Sequence, residues 1–103
     1  MRSDQASPFP GDPRGARIAA ILQARFAPEA LAVDNDSARH AGHAGARAAG
    51  DQAGQTHYQV TLRSAAFAGL NRVQRSRTVH EALAPEFDTG LHALSLRLSA
   101  PGE

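Results

Sequence analysis

The sequence predicts an α+β sandwich, a three-stranded mixed sheet with two helices packed on one face. Three observations lead there. Apolar residues recur at helical spacing at Ile18, Ile21, Leu22 and Phe26, and again at Val79, Ala82, Leu83 and Phe87. Three short segments alternate apolar and polar, the mark of half-buried strands: Leu31 to Asn35, Thr56 to Arg63, and His92 to Leu98. Their order is α-β-β-α-β, so the second helix is a crossover between two strands, which should run parallel with a right-handed connection. Two helices then cover one face of the sheet.

Residues 1–13 are rich in proline and aperiodic, which reads as a disordered tail with Asp12 as an N-cap. The first helix runs from Arg14 to Phe26, and Pro28 stops it. Residues 38–55 carry alanine, polar residues and four glycines (Gly42, Gly45, Gly50, Gly54) without periodicity. Glycine disfavours a helix there, so the stretch reads as a long flexible loop, a length that is commonly functional or disordered. In the next strand Tyr58, Val60 and Leu62 face one way, and His57, Gln59, Thr61 and Arg63 the other. Phe67-Ala68-Gly69-Leu70 is a turn. The second helix spans about Arg72 to Phe87. Pro85 within it lacks an N–H and clashes with the carbonyl of Glu81, so its last turn should be kinked or separate. Gly90 releases the chain into a final strand with His92, Leu94, Leu96 and Leu98 on one face. Residues 100–103 are a C-terminal tail, leaving a domain over 14–99.

At 103 residues the chain has room for one modest core. It has no cysteine, which excludes disulfides, a thiolate nucleophile and a self-contained cysteine-ligated cluster. No run of about 18 apolar residues is present, and no apolar signal region, so the expected location is the cytoplasm, away from membranes. All eleven cations are arginines, yet the formal net charge is only +1. Arg72, Arg75 and Arg77 lie close together, and Arg14, Arg17 and Arg25 dot the first helix. Such clusters can touch phosphate; a solvated helix face is the commoner reading. No serine–histidine–aspartate arrangement and no phosphate loop has recognisable context, so the chain reads as a non-enzyme.

The chemistry concentrates in histidine. His40 and His43 sit in the glycine- and alanine-rich loop, and His92 opens the apolar run ending at Leu98. Imidazole is the commonest metal ligand. The plainer readings are a solvated loop histidine for the first two and a partly buried, carbonyl-bonded one for His92. His57 reads as a structural hydrogen-bonding residue, His80 as a surface residue, and Tyr58 as core.

In this order the chain resembles the BolA family. The resemblance rests on Val33-Asp34-Asn35-Asp36-Ser37 followed by His40, Thr56-His57-Tyr58-Gln59-Val60, Phe67-Ala68-Gly69-Leu70, Arg72-Val73-Gln74-Arg75-Ser76-Arg77, Leu83-Ala84 and Gly90-Leu91-His92-Ala93-Leu94-Ser95-Leu96. These stretches span about residues 16–98. No single one is specific; their ordered combination is. The chain departs from the family pattern at Gln55, Tyr58, Ser76, Pro85 and Phe87.

The resemblance implies a fold like that of class II KH domains, although no Gly-x-x-Gly clamp is evident, so fold likeness alone does not argue RNA binding. It also implies pairing with a monothiol glutaredoxin and a shared, glutathione-ligated [2Fe-2S] cluster, in iron–sulfur maturation, trafficking or iron regulation. His92 matches the family's C-terminal ligand and His40 the loop ligand, with His43 able to substitute. Histidines can replace thiolates on one iron of such a cluster, and a cysteine-free chain can complete a cluster only with outside sulfurs. The isolated chain should bind no cofactor and be a monomer or weak homodimer. The alternative that the family implies is a DNA-binding transcriptional regulator, here through Arg72, Arg75 and Arg77. In the adaptor reading those arginines hold glutathione or an acidic partner surface.

Overall fold

The computed structural model describes residues 9–36 and 56–103. In chain order the elements are α1 (Pro13–Phe26), β1 (Ala30–Asn35), β2 (His57–Arg63), a 3-10 turn (Ala65–Phe67), α2 (Arg72–Ala82), α3 (Ala84–Asp88) and β3 (Ala93–Ser99). The sheet order is β1-β2-β3. β1 pairs antiparallel with β2, Val33 opposite Val60, and β2 pairs parallel with β3, Tyr58 opposite Leu94. The α+β class and the mixed sheet are as the sequence predicts.

α1 starts where Asp12 accepts a hydrogen bond from the Gly15 N–H at 3.1 Å, with Pro13 at the first helical position. It ends at Ala27, which takes a left-handed conformation (φ 44°) just before Pro28. The helix buries Ile18, Leu22 and Phe26, the predicted stripe. Against it lie Tyr58, Val60 and Leu62 of β2, with Phe67, Val79 and Leu83 closing the core. Leu31, Val33, Leu94, Leu96 and Leu98 are only partly buried, because β1 and β3 are the sheet's edges. The Phe26 and Phe67 rings meet at 5.2 Å, tilted. Between them the buried Ser64 hydroxyl donates to the Phe26 carbonyl at 2.7 Å and accepts from the Ala66 N–H at 3.0 Å.

Asn71 caps α2 through a reciprocal box: its side chain accepts from the Gln74 N–H at 2.8 Å, and the Gln74 side chain accepts from the Asn71 N–H at 2.9 Å. The predicted break is found. Leu83 lies outside the helical pattern, and Pro85 sits in the first turn of a separate α3, where its missing N–H costs nothing.

Two boundary expectations are corrected. Phe9 to Asp12 are built into the fold in front of α1: the Asp12 N–H donates to the Phe9 carbonyl at 3.0 Å, and the Asp12 carboxylate accepts the Tyr58 hydroxyl at 2.6 Å. Residues 100–103 are not a trailing tail. Ala100 is buried, its N–H donates to the Glu103 carboxylate at 3.0 Å, and that carboxylate takes Arg75 at 2.6 and 2.7 Å. A bidentate charge-assisted pair holds the segment back on α2. The expected long loop at 38–55 lies outside the described residues. Among those described, no helix is long and apolar enough to cross a membrane.

Candidate metal and partner site

Parallel pairing brings the starts of β2 and β3 together, and His92 stands at that end of the sheet, one residue before β3. Its side chain is exposed while its neighbour Leu91 is buried, so the turn is anchored by one residue and displays the next. The Leu91 N–H donates to the Glu86 carbonyl at 2.9 Å. The N–H groups of His92 and Ala93 both donate to the Thr56 carbonyl, at 2.9 and 3.1 Å. Gly90, at φ 127°, supplies a backbone conformation that a residue with a Cβ rarely adopts.

Thr56 is the residue at which the chain returns from the segment carrying His40 and His43. His92 is therefore bonded, through its backbone, to the end of that segment. His40 and His43 themselves lie outside the described residues. Among the described residues no three of His, Cys, Asp and Glu gather as a metal site. At this end of the sheet the exposed imidazole among the described residues is that of His92.

The other histidines have local roles. His57 is half-buried, and its Nδ1 lies 2.8 Å from the Thr56 hydroxyl. His80 stacks on Phe87 at 5.4 Å, and its Nδ1 lies 2.9 Å from the Ser76 carbonyl. Tyr58 is buried, as expected of a core residue. Burial, reinforced by the hydrogen bond to Asp12, pushes its hydroxyl well above the usual phenol range.

The turn that displays His92 is held from behind by a charge clamp that the sequence did not disclose. Arg14 is buried, and its Nη1 donates to the Glu86 carboxylate at 2.8 Å, the Glu86 carbonyl at 3.0 Å and the Thr89 hydroxyl at 2.9 Å. Its Nη2 donates to the Thr89 carbonyl at 2.8 Å. Arg17 adds a two-point contact to the same carboxylate, at 2.8 and 3.0 Å. Arg17's hydrogen bond, and then the charges of both arginines, hold the Glu86 carboxyl below its ordinary value against the opposing effect of burial. The same hydrogen bond raises Arg17 above its own. Arg14 is thus a buried clamp and not part of a solvated stripe, while Arg17 stays half exposed with its guanidinium on Glu86. The available signal was an arginine and a glutamate each set among apolar residues of an amphipathic helix face; their distance in sequence hid the pairing.

The arginines of α2 also separate. Arg72 and Arg77 are exposed. Arg75 is held between the Leu70 carbonyl, at 2.9 Å, and the Glu103 carboxylate, which it keeps down to about 2. Arg72 and Arg75 line a groove beside β3, and Arg77 does not.

Comparison with known proteins follows the same outline. The family model described as "BolA-like protein" matches residues 22–103. A Sinorhizobium sp. protein described as "Uncharacterized protein in cobS 5'region" is 46% identical over 78 residues, covering 76% of this chain and 81% of the relative. "SufE-like protein 1, chloroplastic/mitochondrial" from Arabidopsis thaliana is 39% identical over 90 residues, which is 87% of this chain but 24% of that protein. Among solved structures, "BolA1 from Arabidopsis thaliana" superposes with a TM-score of 0.74 at 40% identity, covering 84% of this chain and 90% of the other.

Proposed function

This chain belongs to the BolA-like family, and from that premise we propose that it is a non-catalytic cytoplasmic adaptor that pairs with a monothiol glutaredoxin. In that pairing it shares a glutathione-ligated [2Fe-2S] cluster, in iron–sulfur maturation, trafficking or iron regulation. The observation that carries the reading is His92: an exposed imidazole at a strand end, its backbone bonded to Thr56 where the His40 and His43 segment rejoins the sheet. A relative named SufE-like also carries a matching region, which supports an iron–sulfur context.

The donor chemistry is consistent. Such a cluster takes four ligands, and imidazoles can occupy two of them on one iron. His92 supplies one nitrogen, and His40, or His43 in its place, supplies the second. With no cysteine in the chain, the sulfur ligands come from the glutaredoxin thiolate and glutathione. This chain's own task is to present His92 at the exposed strand end, which the Glu86 and Thr56 carbonyls support by fixing the backbone at Leu91, His92 and Ala93. The exposed Arg72 and Arg77 can receive glutathione or partner carboxylates. The DNA-binding alternative gains nothing here, because Arg75, the middle of its three arginines, is already occupied by Glu103.

The test is anaerobic reconstitution with a monothiol glutaredoxin, iron, sulfide and glutathione, followed by visible circular dichroism. The spectrum of the glutaredoxin cluster should change when this chain is added, and His92→Ala should abolish the change. His40→Ala and His43→Ala, compared in parallel, identify the second ligand. A His92→Ala chain that changes the glutaredoxin-cluster spectrum as fully as the wild type does refutes the ligand assignment.

A further inference from the structure

A groove of about 630 Å³ runs between α2 and the sheet, beside β3. Leu94, Leu96 and Leu98 give it an apolar lining, and all three are half-buried where a core leucine would be covered. Arg72, Arg75 and Arg97 give it cations. Because β3 is an edge of the sheet, one row of its backbone N–H and C=O groups has no strand partner among the described residues. Arg75 already binds a carboxylate of this chain, that of Glu103, at 2.6 and 2.7 Å, although Glu103 itself does not line the groove. Arg72 and Arg97 are exposed and have no such partner among the described residues.

We propose that this groove receives an extended acidic peptide of a partner protein, added as a fourth strand along the free edge of β3. Main-chain hydrogen bonds to β3 supply the pairing, and alternate side chains supply selectivity. Alternate residues of the peptide lie against Leu94, Leu96 and Leu98 on the helix side, and the residues between them carry carboxylates to Arg97 on the other side. A carboxylate at the end of the peptide reaches Arg72 on α2 in the way Glu103 reaches Arg75. A single-stranded nucleic acid fits less well. The lining offers no phenylalanine or tyrosine for base stacking, and the net charge of the chain is only +1. The proposal shares Arg72 with the partner contacts proposed above, but His92 does not line the groove, so His92→Ala should leave peptide binding unchanged and separates the two readings.

The probe is a fluorescein-labelled peptide of about eight alternating glutamates and valines, the length of a strand matched to β3. Anisotropy measures its binding to the full chain, and amide chemical shifts locate it. Binding should perturb the β3 amides, and the double variant Arg72→Glu with Arg97→Glu should weaken it roughly tenfold or more, about 1.4 kcal/mol. Both arginines are exposed, so far-ultraviolet circular dichroism should report an intact fold. The same peptide N-methylated at alternate residues keeps its side chains but cannot pair, and it should not bind. Five results would each overturn the proposal: no binding of the acidic peptide, equal binding of a lysine-for-glutamate peptide, equal or tighter binding of oligothymidylate, undiminished binding to the charge-reversed variant, or equal binding of the N-methylated peptide.

Discussion

Replacing Glu86 by leucine tests the clamp behind the His92 turn. The side chains of Arg14 and Glu86 are 4% and 6% exposed, so the substitution strands a guanidinium charge in the interior. Removing one partner of a buried ion pair typically costs about 3–5 kcal/mol. The lower end applies here, because Arg14 keeps the Glu86 and Thr89 carbonyls and the Thr89 hydroxyl as acceptors. A loss of about 3 kcal/mol is a large part of the roughly 5–15 kcal/mol stability of a small domain. It should lower Tm by roughly 12–24 °C in calorimetry. The double variant Arg14→Met with Glu86→Leu should recover much of that loss, since an apolar pair of similar volume is often neutral or better. Arg17, half exposed, stays solvated in both variants. Amide exchange at Leu91 and His92 should quicken in the single variant, because the backbone at position 86 that holds Leu91 loses its side-chain ties to Arg14 and Arg17 and keeps only the carbonyl contact. A single-variant loss below about 1 kcal/mol, or a double variant no more stable than the single, would refute the argument.

Acid should weaken the fold through the same residue. Glu86 has a folded-state pKa below its ordinary value of 4.5, so its contribution is present above that value and is lost as pH falls through the lowered one. Urea midpoints taken at about pH 6 and about pH 3 should differ less in Glu86→Gln than in the wild type. Gly15→Ala should destabilise by about 1–3 kcal/mol despite alanine's helical preference, because the new Cβ collides with the Asp12 carboxylate that caps α1 and holds Tyr58. Its Tm should fall, where a substitution judged on propensity alone would raise it. Asn71→Ala removes half of the capping box and should cost about 1 kcal/mol in urea denaturation, with α2 amides exchanging faster. His92→Ala, at an exposed position, should leave the urea midpoint within about 0.5 kcal/mol of wild type. That separates loss of a ligand from loss of fold.

The elements that the sequence disclosed are those fixed by neighbours in the chain. The spacing of Ile18, Leu22 and Phe26 is set by the helical repeat, and the alternation of Tyr58, Val60 and Leu62 by the pleat. The break near Pro85 follows from a missing N–H, and Asp12 caps because its side chain reaches back to Gly15. Of the candidate site, the sequence named the residue types: histidines, in a chain whose lack of cysteine excludes a self-contained cysteine-ligated cluster.

What the tertiary structure decided is which distant groups meet. Arg14 and Glu86 stand 72 positions apart, and Arg75 and Glu103 stand 28 apart. No periodicity relates them, and each taken alone reads as a solvated charge. Only the packing of α1 on α3 buries the first pair, and only the return of Ala100 to Glu103 onto α2 closes the second. The same holds for His92. Its identity was written in the sequence, but its outward display depends on Thr56 lying beside it, which follows from two strands pairing in parallel across a helical crossover. Local pattern selects the elements, since it needs only adjacent residues. Their assembly decides which charges lose their water, and that determines which residues hold the fold and which remain available to a partner.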